Sequence, residues 1–156
     1  MKKKAIVTGA NGKIGRTFVE SLVAKGYFVY AVDLKTEGLK TSKNVELVQL
    51  DITDEESVHD FFLSVHNLCV LINNAGIGVF TPFEDRTAAE FKNVMEVNLL
   101  GSFLMSQSAV KIMKESGGGK IVNIASIYGS TSSDERIYGD SGRNNSEVYS
   151  ATKAGV

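Results

Sequence analysis

This 156-residue sequence predicts an α/β fold, a mostly parallel sheet wound with helices on both faces. Three observations carry that prediction. Short β-branched runs alternate with segments of helical periodicity. The runs are apolar along nearly their whole length, as strands buried on both faces are, rather than alternating in and out. Glycines also stand just beyond the ends of helical segments, where a left-handed residue closes the last turn.

Taken in order, Lys4–Thr8, Tyr27–Val32, Val45–Leu50, Leu68–Asn73 and Lys120–Ala125 are expected strands. Lys13–Lys25, Asp54–His66 and Asp85–Glu115 carry apolar residues at helical spacing, with Gly26 and Gly117 following two of them. Thr53 or Asp54 can cap the helix containing Val58, Phe61 and Phe62. The crossover Leu34–Asn44 is short and has room for a partial helix only. Right-handed crossovers then imply the strand order 3-2-1-4-5 in a doubly wound sheet. Neither an internal repeat nor a linker interrupts the pattern, so residues 1–156 read as one domain.

Composition narrows the classes of function. Hydrophobic residues make up 43% and charged residues 22%, with a formal net charge of −1. That balance gives no electrostatic reason for a nucleic acid or an anionic membrane as partner. Lys2-Lys3-Lys4 precedes only Ala5-Ile6-Val7, far too short for a signal-peptide core, and no apolar stretch could span a bilayer. Cys69, the sole cysteine, excludes an intrachain disulfide and a thiolate metal cluster. It lies in an apolar run and reads as a structural thiol. A cytoplasmic protein without a metal fits these numbers.

Between the first strand and first helix stands Thr8-Gly9-Ala10-Asn11-Gly12-Lys13-Ile14-Gly15. Glycines there let the backbone turn tightly and approach a pyrophosphate at the positive end of the helix. The flanking strand and helix are the context that such a Rossmann-like loop requires. Asp33 closes the second strand, with Leu34 next. A carboxylate there can accept the adenine-ribose hydroxyls and would repel a 2′-phosphate, favouring NAD over NADP, although Lys13 partly offsets that repulsion. Asp51 and Ile52, after the third strand, are placed to touch adenine.

Further along, Asn73-Asn74-Ala75-Gly76 ends the fourth strand, and Asn98 lies within Val97-Asn98-Leu99-Leu100-Gly101. Asn123-Ile124-Ala125-Ser126 ends the fifth strand, and Tyr149-Ser150-Ala151-Thr152-Lys153 follows near the end. Tyr149 and Lys153, one helical turn apart, share a face. An ammonium about 4 Å from a phenol, at an effective dielectric near 20, favours the phenolate by roughly 4 kcal/mol. Such a pair can work as acid and base near neutral pH.

With the glycine loop, these residues closely resemble the short-chain dehydrogenase/reductase family, over essentially the whole chain. The resemblance implies an NAD(P)-dependent oxidoreductase in which hydride passes between nicotinamide and a carbonyl carbon. It implies Asn98, Ser126, Tyr149 and Lys153 as catalytic residues: Tyr149 moves the proton, Lys153 also holds the nicotinamide ribose, Ser126 positions the substrate oxygen, and Asn98 anchors a relay water. The implied cofactor contacts are Gly9, Asn11, Gly12, Lys13, Ile14, Gly15, Asp33, Leu34, Asp51, Ile52, Asn74, Ala75, Gly76, Tyr149 and Lys153. His59 and His66 lie far from these motifs and read as surface residues. By the same resemblance the full-length protein is a homodimer or homotetramer, with Val94, Leu99, Phe103 and Met105 as core and interface material.

Three departures stand out. The spacing Gly9, Gly12, Gly15 is typical of the longer branch that modifies sugar nucleotides, which keeps an epimerase or dehydratase with tightly held NAD in view. Asn74 and Asn98 are oxidoreductase-branch features. The stretch from Ser126 to Tyr149 is longer than the family's usual interval and carries a polar insertion, Ser130–Ser146, with Arg136, Tyr138 and Arg143 in it. Similar wording in reductases of surface-glycan modification points to sugar-derived substrates. Only Ala154-Gly155-Val156 follow Lys153, so the family's later strands are expected to be lacking, and an inactive nucleotide-binding fragment or sensing module is the remaining alternative.

Overall fold

A computed structural model describes residues 2–141 and 145–156, with the Glu135 side chain set aside. Arg143, singled out in the insertion, lies outside the described residues. The chain divides into two compact units, residues 1–75 with 101–124, and residues 76–100 with 125–156.

The first unit holds a five-stranded parallel sheet in the order β3-β2-β1-β4-β5. Its strands are β1 (Lys4–Thr8), β2 (Phe28–Asp33), β3 (Val45–Gln49), β4 (Leu68–Asn73) and β5 (Lys120–Asn123). Its helices are α1 (Lys13–Ala24), α2 (Glu55–Leu63) and α4 (Gly101–Glu115). The order and the parallel pairing are those the sequence predicts.

Alternate residues of one strand feed opposite faces. Ala5 and Val7 pack with Val29, Ala31 and, from α1, Val19 and Leu22. Ile6 packs instead with Tyr30, Val32, Leu71, Val58 and Phe62 of α2, and Leu104, Met105, Ala109 and Met113 of α4. β1 and β2 are therefore covered on both sides, which explains their unbroken runs in the sequence, whereas β5 is largely exposed. Asp54 caps α2, its carboxylate accepting from the Glu56 and Ser57 amides. Gly26 and Gly117 take positive φ beyond α1 and α4, as a closing turn demands.

Several expectations need correction. The crossover after β2 contains turns and a Ser42–Val45 bridge but no helix among its residues. The predicted long helix Asp85–Glu115 is three pieces: α3 (Ala88–Met95), a π-helical turn (Glu96–Leu100) and α4. Continuous apolar periodicity hides such a turn, because one extra residue per turn barely disturbs the pattern.

The second unit contains α3, the π turn and α5 (Glu147–Gly155), with short 3₁₀ turns at Phe83–Asp85, Ile127–Gly129 and Glu135–Ser141, the last kinked at Gly139. Thr87 and Glu90 form a reciprocal capping box on α3, and Ser146 caps α5 by accepting the Tyr149 amide. Among its described residues, Val94, Asn98, Ser146, Val148, Thr152 and Lys153 are buried. His59 and His66 are exposed. Cys69 is half-buried, its thiol donating to the Asn67 carbonyl at 3.6 Å.

Candidate active site

In the first unit, the loop Gly9–Gly15 leaves the carboxyl end of β1. Gly9 adopts φ of 63°, and a Cβ there would lie 2.8 Å from Ala75 Cα. A Cβ on Gly15 would lie 2.1 Å from the Gly9 carbonyl oxygen. No other residue type fits either place without moving backbone. Thr8 fastens the loop to the end of β4: its hydroxyl accepts the Asn74 and Ala75 amides, both at 3.1 Å. The Asn74 side chain donates to the carbonyls of Thr8 and Gly9, each at 3.0 Å.

The start of α1 is left open to an anion. Gly12 offers no side-chain cap, and the first turn holds no acidic residue. Its free N–H groups and helix dipole suit a pyrophosphate, so the loop fits the phosphates of a dinucleotide. Lys13 and Ile14 flank this end and are exposed. Asp33 terminates β2, one carboxylate oxygen accepting the Asn11 amide at 2.8 Å and the other the Lys35 amide at 3.1 Å. Asn11 in turn donates to the Lys35 and Glu37 carbonyls at 2.8 and 3.1 Å. Arg16 grips Asn11 and the Gly38 carbonyl. These bonds shape the loop in which Leu34 stands exposed. Asp51 is exposed and accepts from Thr53, while the Ile52 side chain is buried in the apolar core.

The second unit gathers the other predicted residues. Asn98, 1% exposed, sits in the middle of the π turn. Its Oδ1 accepts the Ile77 amide at 2.8 Å, and its Nδ2 donates to the Ile77 carbonyl and the Thr152 hydroxyl, both at 3.0 Å. The Thr152 hydroxyl donates to the Tyr149 carbonyl at 2.8 Å. Asn98 thereby ties the segment after β4 to the helix that carries Tyr149 and Lys153. A Cβ on Gly76 would lie 3.3 Å from Asn98 Oδ1 and 3.4 Å from Lys153 Nζ, so the glycine leaves room for both groups.

Lys153 is 8% exposed, and burial holds its ammonium below the usual lysine range. Its Nζ lies 5.7 Å from the centre of the Tyr149 ring, within cation–π range. Ser126 begins the 3₁₀ turn Ile127–Gly129, its Oγ accepting the Tyr128 amide at 3.2 Å. That turn presses on α5 at Gly129, where a Cβ would lie 2.6 Å from the Lys153 carbonyl oxygen. Arg86 pairs with Glu147 at the first turn of α5 and donates to the Thr81 carbonyl at 2.6 Å. Burial pushes the Glu147 carboxyl up, but its bond from Arg86 and the nearby amides outweigh this and hold it below the usual range.

Sequence reasoning missed Thr152, Arg16, Gly129 and the Arg86–Glu147 pair. Only Thr152 left a trace, because Val148 and Thr152 are one turn apart on what must be the buried face of α5.

With the geometry in hand, comparison with known proteins places the chain. A family model described as short chain dehydrogenase matches residues 3–156. The chain is 34% identical to a levodione reductase of Leifsonia aquatica, across 97% of this chain and 58% of the relative. It is 31% identical to an NAD-dependent glycerol dehydrogenase of Listeria innocua, across 99% of the chain and 60% of the relative. Among solved structures, a short chain dehydrogenase from Leptospira borgpetersenii with bound NAD+ superposes with a TM-score of 0.91 and 42% identity, covering 100% of this chain and 62% of that one. The chain thus spans about three fifths of the length of these relatives. It belongs to the short-chain dehydrogenase family of oxidoreductases.

Proposed function

We propose that this protein is an NAD(P)-dependent oxidoreductase that interconverts a carbonyl and an alcohol, with NAD preferred over NADP. The observation that carries the reading is on α5: Tyr149 and Lys153 lie together, and the turn begun by Ser126 is pressed against the same helix at Gly129. Residues 1–156 serve as its single nucleotide-binding domain.

Gly9, Gly12 and Gly15, with the open amides at Lys13 and Ile14, would hold the pyrophosphate, and Asp33 the adenine ribose. Asn11, Leu34, Asp51, Asn74 and Ala75 would add further cofactor contacts, Ile52 through its backbone, and Gly76 is a cofactor contact in the same reading. When bound, the nicotinamide supplies or takes up hydride; the protein supplies position and electrostatics. Ser126 accepts the Tyr128 amide on its oxygen, which leaves its own proton to donate to the substrate oxygen. Tyr149 gives its phenolic proton to that oxygen as the alcohol forms, and takes it back in oxidation. The Lys153 ammonium favours the phenolate that remains and would reach the nicotinamide ribose. Asn98 spends its amide on Ile77 and Thr152, so its part is to hold this half of the site in shape and to present any relay water from the π turn.

Asp33 favours NAD, since its carboxylate would repel a ribose phosphate. No helix among the described residues is long and apolar enough to cross a membrane. We propose a cytoplasmic location. Phe103 is 55% exposed on α4 and Leu100 is also exposed, apolar surface suited to a homodimer or homotetramer, whereas Val94 and Met105 are core. Sugar-derived or otherwise hydroxylated compounds are the favoured substrates.

The glycine spacing favours one second reading, an epimerase or dehydratase that returns its hydride to the substrate. Incubating the protein with a carbonyl panel and NADH deuterated at the transferred position separates the two. Oxidoreduction places deuterium in an alcohol product and consumes NADH; no net consumption with isomerised product would overturn it.

A further inference from the structure

The segment between Ser126 and Tyr149 builds a pair of phenols. Tyr128 and Tyr138 share a hydrogen bond of 2.7 Å between their hydroxyls. Both side chains are half-buried. Tyr128 stands two residues beyond Ser126, whose hydroxyl accepts its amide. Tyr138 is pushed up to about 12, first by the hydrogen bond to Tyr128, then by burial, and also by the charges of Tyr128 and Tyr149. Tyr138 is therefore neutral at physiological pH.

Two hydroxyls bring two protons and four lone pairs. Their mutual bond uses one proton and one lone pair. The second proton has no partner among the described residues, and hydrogen-bond chains strengthen the terminal donor. Two nearby arginines among the described residues are already matched. Arg136 is bound to Asp134 through both carboxylate oxygens, and Arg86 to Glu147. Beside the pair, Tyr128 borders a cleft of about 610 Å³ whose lining mixes hydroxyls and an amide, among them Ser130, Ser133, Asn145 and Ser150, with the Arg86–Glu147 pair and apolar side chains. That volume suits a small metabolite. Neutral donors and acceptors beside a matched Arg86–Glu147 pair suit a ligand whose own groups are hydroxyls, rather than a carboxylate or phosphate.

We propose that the Tyr128–Tyr138 hydroxyl pair is a specificity determinant that hydrogen-bonds a hydroxyl of a polyhydroxylated carbonyl substrate, beside the carbon reduced at Tyr149. The inference rests on the oxidoreductase reading above. Its proton stays on the phenols throughout, so the pair binds and orients without joining the chemistry.

The test uses two ketones on the same four-carbon skeleton, erythrulose and 2-butanone, with the wild-type protein and the Tyr138→Phe and Tyr128→Phe variants. Binding to the protein–NADH complex is read from cofactor fluorescence, and turnover from NADH consumption. Wild type is expected to bind erythrulose more tightly than 2-butanone, and each variant to shrink that ratio by roughly 5- to 20-fold, the scale of one lost hydrogen bond. The change should fall on KM and Kd rather than kcat. An unchanged ratio in both variants, or an equal loss on both ketones, would overturn the proposal, since a brace for the loop would produce either. A wild type that binds neither ketone differentially would overturn it as well. Differential binding without NADH consumption would leave the pair standing and sink the oxidoreductase reading instead.

Discussion

Asn98 and Thr152 meet side chain to side chain inside the second unit, the amide donating to the hydroxyl at 3.0 Å with both residues buried. The bond joins the π turn to the turn of α5 between Tyr149 and Lys153. Thr152→Val keeps the shape but leaves an Asn98 N–H buried without its acceptor, at a cost of about 1–3 kcal/mol. Urea unfolding should show this as a lower midpoint, and kcat should fall with it. An unchanged midpoint would mean the bond holds nothing in place.

Gly129 makes a sharper demand. A Cβ there would press into the Lys153 carbonyl at 2.6 Å. Gly129→Ala should therefore shift the Ser126 turn, costing about 1–3 kcal/mol by overpacking and reducing turnover beyond the stability loss. Gly118→Ala is the control, because Gly118 has φ of 117° but nothing within 4 Å. It should destabilise the protein through backbone strain and leave kcat near wild type. Equal kcat in the two variants would refute the packing argument.

Asp33 has a double duty that the sequence did not disclose. Besides facing the ribose in our reading, its carboxylate fastens the Asn11 and Lys35 amides. Asp33→Ser should narrow the preference for NAD over NADP by removing repulsion, and should also weaken NAD by loosening the loop. Calorimetric titration with both cofactors checks this. A preference unaltered by the substitution would show that discrimination lies elsewhere.

Lys153 is expected to cost stability. Burial lowers its pKa in the folded protein, so the unfolded chain holds that proton more tightly. Stability should consequently rise with pH across the window between the lowered folded value and the unfolded value of about 10.4. Lys153→Met should raise the thermal midpoint at pH 7 while abolishing turnover, the exchange of stability for function seen at active sites. A lower midpoint in that variant would contradict the burial penalty.

Much of this fold was legible because its signals are local. The strand runs, the cap at Asp54, the glycines past α1 and α4, and the loop Gly9–Gly15 each depend on neighbours in sequence. The motif residues Asn98, Ser126, Tyr149 and Lys153 were visible for the same reason. What escaped was long-range. Arg16 clamping Asn11, Arg86 reaching Glu147, and Tyr138 meeting Tyr128 are pairings between segments that only the folded chain brings together. The π turn escaped for another reason: Val94, Leu104 and Met105 keep an apolar stripe through it, so periodicity reads one helix where there are two.

The central claim, that Tyr149 is the proton donor of a nicotinamide-dependent carbonyl reduction, has a direct measurement. Steady-state NADH consumption by Tyr149→Phe should be compared with wild type on a substrate the wild type turns over, with NADH binding measured alongside. Removing the phenolic oxygen while keeping the ring should leave folding and NADH affinity near wild type and lower kcat by about 10²–10⁴-fold, the usual contribution of general acid–base catalysis. A Tyr149→Phe protein that binds NADH and keeps a near-normal kcat would contradict the account.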